Sequence, residues 1–213
     1  MKRYPLVLLI LVVLALVLSG LAPHDRTTWW LEVFPILIGA PILIATYRRF
    51  PLTSLLYTLL AVHAIILMIG GHYTYARVPL GFWAQDLFGF TRNHYDRLGH
   101  FAQGFVPAIL VRELLVRTSP LRSGRWLFVL VTAACLAISA CYEFIEWWTA
   151  LLGGHSAEAF LGTQGDVWDT QWDMFMALIG AMTAQLVLGR VQDRALRKLS
   201  GQSDLSGQPN TVC

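Results

Sequence analysis

The stretch GDVWDTQWDMFMALIGA, residues 165–181, begins with three aspartates and ends as an apolar helix. At about 100° per residue, Asp166, Asp169, Asp173, Ala177 and Gly180 form one stripe if the helix begins early enough. Carboxylates at the mouth of an apolar helix are costly unless something pairs with them. Ala177 and Gly180 permit close helix contact, which turns the aspartate face toward a bundle and away from lipid. Asp166 or Asp169 could be only a cap, whereas Asp173 lies deep enough to need a partner.

The chain around this stretch reads as a membrane protein. Of its 213 residues, 56% are hydrophobic and only 14% charged, against about 25% charged in soluble domains. Mean hydropathy is +0.56. The net charge of +3 does not point to nucleic acid, because the basic residues sit in short clusters between apolar runs, a topology signal. Cys135 and Cys141 are roughly 9 Å apart along a helix and cannot bridge. Cys213 ends a polar tail, and no zinc-type cysteine spacing occurs.

Six segments are long enough to span a bilayer: 5–22, 31–47, 52–70, 96–116, 126–152 and 170–189. The expected fold class is all-α, a polytopic six-transmembrane-helix bundle. A single membrane domain covers residues 1–199, and residues 200–213 form a disordered cytoplasmic tail. The second segment carries Pro35 and Pro41 and is expected to kink or tilt. Lys2 and Arg3 precede the first segment as in a signal peptide. Pro23 follows the best cleavage candidate, Ala22, so that segment reads as a retained helix.

Lysine and arginine set the orientation. Lys2, Arg3, Arg48, Arg49, Arg117, Arg122, Arg125, Arg190, Arg194, Arg197 and Lys198 fall on one side; Arg26, Arg77, Arg92 and Arg97 fall on the other. Both termini are therefore expected in the cytoplasm. Most acids and histidines, Asp25, Glu32, Asp86, Glu158, His24, His72, His94 and His155 among them, fall on the outer side. The outer loop 71–95 is rich in aromatics, which suits a segment lying on lipid headgroups and would equally suit a lid. The basic segment RVQDRALRKL suits a headgroup anchor on the inner side.

Two further motifs meet the membrane from the outer side. YDRLGHF, residues 95–101, places Asp96, His100, Gln103 and Pro107 on one face, with Arg97 beside them. CYEFIEWW, residues 141–148, places Glu143 and Glu146 on one side of a helix end, where the helix dipole does not favour acids. Ionisable groups converging at one depth on three helices make a candidate pocket of Asp96, Arg97, His100, Gln103, Glu143, Glu146, Asp166, Asp169 and Asp173. Close carboxylates need a bound cation, shared protons, or pairing with Arg97 and His100. The oxygen-rich set admits a divalent metal at Asp96, His100, Glu143, Glu146, Asp169 and Asp173. His63, at mid-membrane, reads as a histidine bonded to a neighbouring backbone or hydroxyl group. Arg112 and Glu113 read as snorkelling groups near the inner end.

At these motifs the sequence resembles the YjdF family of bacterial inner-membrane proteins. The resemblance extends through HDRTTWWLEVFP, RRFPLTSLLYTLLAVHAIILMIGGHYTYARVPLGF, YDRLGHFAQGFVPA, AISACYEFIEWW and FLGTQGDVWDTQWDM. It implies a multi-pass inner-membrane protein and supplies no function. A fainter similarity is to VanZ-like membrane proteins, through Asp96, Arg97, His100, Phe101, Glu143, Glu146, Asp169 and Asp173. That similarity implies cell-envelope chemistry, although Arg97 stands where a lysine is usual and Ala177 where an asparagine is common.

Three function classes stay open at this point. The first is an enzyme using a divalent metal on a lipid or lipid-linked envelope substrate. The second is a small transporter or proton-coupled carrier. The third is a non-catalytic partner subunit whose polar cluster locks helices together. Membrane lipids are the expected surroundings, and neither substrate nor oligomeric state is encoded legibly.

Overall fold

The computed structural model describes residues 3–153 and 163–205. His155, Glu158 and Cys213 lie outside the described residues, as does the tail from 206 onward. Seven α-helices appear among the described residues: α1 (Arg3–Ser19), α2 (Arg26–Thr46), α3 (Ser54–Tyr73), α4 (Pro79–Phe88), α5 (Tyr95–Thr118), α6 (Arg125–Gly153) and α7 (Asp169–Leu205). A 3-10 turn, Tyr75–Arg77, precedes α4. By length and composition, α2, α3, α6 and α7 are able to cross a membrane. α1 is apolar but only 17 residues long. α5 carries Asp96, Arg97, Arg112, Glu113 and Arg117.

The charge on α5 is explained by its place. It packs against α3, α6 and α7, most extensively against α7. Twelve of its residues are buried, whereas α1 buries none and presents Val7, Leu11, Leu14 and Leu18 outward. The α5–α7 approach depends on missing side chains. A Cβ on Gly104 would overlap the backbone of Ala177, and one on Gly180 would overlap that of Phe101. Where lipid replaces water, such close contact supplies the dispersion and short polar contacts that hold helices together.

Local sequence sets the helix ends. The Asp25 side chain accepts the Thr28 N–H at 2.6 Å and caps α2; Thr53 caps α3 through Leu56. Gly89 takes a left-handed φ of 67°, which ends α4. The aromatic loop is thus largely helical. Tyr75, Val78 and Tyr95 turn into the protein, while Leu80, Phe82, Trp83 and Phe88 stay exposed. α7 continues to Leu205, six residues into the segment expected as a tail.

The end of the bundle away from the candidate pocket departs from the sequence reading. Arg112 and Glu113 do not snorkel. Glu113 is fully buried and accepts from the Thr53 N–H (2.9 Å), the Thr53 hydroxyl (2.7 Å) and Arg117 (3.1 Å). Arg112 donates to Asp193 (2.8 Å), Ser123 (3.0 Å) and Gln192 (3.1 Å). These contacts tie α5 to the start of α3, to the turn before α6 and to α7, because their face of α5 meets protein and not lipid. Cys135 and Cys141 are both free, the first buried and the second exposed.

Candidate functional site

At the opposite end, the first turns of α5 and α7 face the last turns of α6. Asp96, Arg97, His100, Glu143, Glu146, Asp169 and Asp173 are all buried. The cluster has an arginine half and a histidine half.

In the arginine half, Arg97 donates through Nη1 to Asp173 and to the Asp169 carbonyl (3.3 Å). Its Nη2 donates to Asp169 Oδ1 (2.8 Å) and Asp166 Oδ2 (3.1 Å). Arg92, which precedes α5, donates to the same two oxygens at 2.9 and 3.3 Å. Asp166 stands before the helix and not on its stripe. Its Oδ1 accepts the Trp168 N–H at 2.9 Å, and α7 begins at Asp169. The loops are braced by Asn93, which exchanges hydrogen bonds with Gln164 (3.2 and 2.8 Å) and donates to the Val78 carbonyl (3.0 Å). Gly81 leaves room for it, since a Cβ there would overlap the Asn93 amide. Burial and the neighbouring Arg92 and Arg97 lower the pKa of His94, so its ring favours the neutral form.

In the histidine half, His100 Nδ1 lies 3.0 Å from Gln103 Oε1. With Nδ1–H donating to that oxygen, Nε2 faces Asp96 Oδ1 (3.5 Å) and Asp173 Oδ1 (3.8 Å). Glu143 Oε1 lies 3.8 Å from Nδ1. Two triads, Asp96–His100–Asp173 and His100–Glu143–Glu146, each hold their candidate ligand atoms within 4.8 Å of one another. Asp96 Oδ2 and both Glu143 oxygens are buried without a hydrogen-bond partner. Asp169, expected among the metal ligands, is instead engaged by both arginines.

Four contributors carry no signal in the candidate motifs: Arg92, Glu32, Tyr142 and Tyr75. Arg92 lies in a loop, where an arginine carries no positional signal. Glu32, a lone acid on α2, is buried beside the cluster, and Tyr142 donates to its Oε2 at 3.4 Å. The Tyr142 ring also meets the His100 ring edge-on at 6.3 Å. Tyr75 fits between α3 and α5 because Gly70 and Gly99 carry no Cβ for its ring to strike. The paired glycines at 70 and 71 were the available signal, since a Cβ on Gly71 would lie 3.0 Å from that of Glu32.

Charge is unevenly distributed between the halves. Two guanidinium groups engage Asp166, Asp169 and Asp173, while one imidazole faces Asp96, Glu143 and Glu146. Such a site can hold a cation, and its histidine already has one nitrogen oriented by an outer partner, as metal-ligating histidines do.

Residues 4–194 match the model of a family described as "Predicted membrane protein (DUF2238)". The chain is 55% identical to "Inner membrane protein YjdF" of Escherichia coli (strain K12), over 87% of this chain and 88% of the relative. No solved structure matches.

Proposed function

The chain belongs to the predicted-membrane-protein family DUF2238, and from that premise we propose a six-span inner-membrane protein that binds a divalent cation in an outward-facing pocket. The cation serves chemistry on a lipid or lipid-linked cell-envelope substrate. The spans are α1, α2, α3, α5, α6 and α7. α5 belongs to the set despite its charges because Arg97, Arg112, Glu113 and Arg117 are each paired with a protein group of opposite charge, and Asp96 faces His100. The name of the Escherichia coli relative supports the inner membrane. Both termini lie in the cytoplasm by the lysine and arginine asymmetry, which leaves the acidic cluster outside.

One observation carries the cation: buried Asp96 and Glu143 have three oxygens without hydrogen-bond partners beside a single histidine. Leaving buried ionised carboxylates unpaired is costly, and a divalent ion removes that cost. His100 Nε2 and Asp96 are the nearest ligands, with Asp173 beside them although its Oδ1 also accepts from Arg97. With an ion bound, Glu143 and Glu146 would complete its coordination shell. The His100 Nε2 separations of 3.5 and 3.8 Å lie near the ligand–ligand spacing of about 3.4 Å around a small tetrahedral ion. Such an ion neutralises phosphate charge and lowers the pKa of bound water. The arginine half supports a locking role in addition, since Arg97 joins α5 to α7.

The test is chelator-sensitive release of inorganic phosphate from vesicles containing a phosphomonoester lipid or a polyprenyl diphosphate. Release by the parent protein, lost in Glu143→Gln, supports the enzymatic reading. No release from metal-loaded protein on either lipid removes it.

A further inference from the structure

In the half of the bundle away from the acidic cluster, a cavity of about 300 Å3 lies between α1, α2, α3 and α5. Val12, Ile36, Leu43, Leu60 and Leu110 supply apolar wall. Gly39 faces into it, and a Cβ built there meets nothing within 4 Å. α1 and α2 each rest on α3, so the cavity is roofed by two helices that are not closely packed on one another. The cavity wall and the cluster lie along the same helix faces. On α5 the stripe Asp96, His100, Gln103 ends at Pro107 on the cavity wall; on α2, Glu32 is followed one turn later by Ile36. From His100 to Pro107 is roughly 10 Å of helix.

We infer that this cavity seats a hydrocarbon chain of a phosphate-headed lipid, the head of which reaches the acidic cluster. The inference deepens the proposed function and rests on it for the headgroup alone. Polar groups at one end and an apolar slot below them on the same helix faces match the polarity order of such an amphiphile. Left empty, a space of this size forfeits dispersion contacts along every wall. Water does not fill it well, because a held water needs two to four polar partners. His63 Nε2 is buried without a partner, and Tyr57 Oη is already engaged by the Leu52 N–H at 3.2 Å. α1 and α2 each pack on α3 and not closely on one another, so the route inferred for the chain is sideways between them.

The full chain is reconstituted in vesicles containing a phosphatidic acid with a diazirine in one acyl chain, irradiated, and its adducts are mapped by mass spectrometry. Metal content is measured on the same preparation. Adducts on Leu43 and Leu60 are expected, with at least a fivefold loss in Gly39→Leu and in Ala61→Leu and no change in metal content. Gly39→Leu projects into open space and Ala61→Leu fills the opposite wall, so each checks the other. Adducts confined to outward side chains such as Leu14, Val17 and Ile38, equal in parent and variants, overturn the inference. Cavity labelling on a metal-free parent would sink the cation while leaving the chain slot. A metal-loaded parent with an unlabelled cavity would do the reverse.

Discussion

Gln103 Oε1 lies 3.0 Å from His100 Nδ1, one turn along α5, and this contact turns the ring's other nitrogen toward Asp96 and Asp173. Outer partners of this kind fix the tautomer and orientation of ligating histidines. Gln103→Leu is expected to weaken divalent-ion binding about 10- to 100-fold with unchanged helix content. Titration of the chelated, purified protein with zinc or manganese measures it. Equal affinity in parent and variant would show that Gln103 does not position the ring.

Gly104 sits where a Cβ would overlap the backbone of Ala177. Gly104→Ala therefore forces α5 and α7 apart. Overpacking of this sort costs about 1–3 kcal/mol, and backbone yields less readily than a side chain. Thermal unfolding in detergent should show a lowered midpoint. Gly189→Ala, at a glycine with nothing within 4 Å of an added Cβ, should leave the midpoint within a degree or two or raise it.

Much of this was legible in residue type and spacing. The apolar segments fall on helices, and four of those, α2, α3, α6 and α7, are long and apolar enough to cross a membrane, because a bilayer demands long apolar runs with internally paired backbones. Acids on the apolar helices α5, α6 and α7 announced a shared end because lipid cannot solvate them. What the sequence hid was which side of a helix meets protein. Arg112 and Glu113 look like snorkelling groups until α5 is known to be central. Its small residues Gly99, Ala102, Gly104 and Ala108, all buried, were the readable sign. The stripe that the spacing extends to Asp166 begins only at Asp169, since a helix start among Gly, Asp and Thr has no single signal. Glu32 and Arg92 entered through tertiary contacts that no local pattern encodes.

Glu113 has no exposed surface and accepts three hydrogen bonds, one of them from Arg117. Glu113→Ala removes the acceptor of the Thr53 N–H and hydroxyl at the end far from the cluster, and leaves Arg117 only the Pro51 carbonyl and the Phe50 ring. Breaking a buried, hydrogen-bonded charge pair costs about 3–5 kcal/mol. The expected readout is a large fall in the unfolding midpoint with metal affinity unchanged in the fraction that remains folded. A fall in metal affinity without loss of stability would contradict the separation of the two ends.

The Thr28 N–H at 2.6 Å holds the Asp25 carboxyl below its usual 3.8. Because the folded-state value is depressed, the stabilisation is complete above the unfolded value and fades as pH falls through the folded one. Asp25→Asn keeps an N-cap but does not titrate. Unfolding followed from about pH 5 downward should show the parent losing stability relative to Asp25→Asn. Parallel curves would mean that the cap carries no charge-dependent stabilisation.

A cysteine introduced at Asp86 on α4 and one at Arg122 between α5 and α6 report on opposite ends of the bundle. The background is a chain with its own cysteines replaced. In intact cells, an impermeant thiol reagent should label position 86 and spare position 122. The reverse pattern would move the acidic cluster to the cytoplasmic side.

Cation binding is tested most directly by elemental analysis of the detergent-purified protein prepared without chelator. About one divalent ion per chain is expected in the parent, with at least a tenfold loss of affinity in His100→Ala and in Asp173→Asn. Both variants leave Arg92 and Asp169 paired. Metal absent from the parent after incubation with magnesium, manganese and zinc, or content unchanged in both variants, would contradict it and leave a cluster that only locks α5, α6 and α7 together.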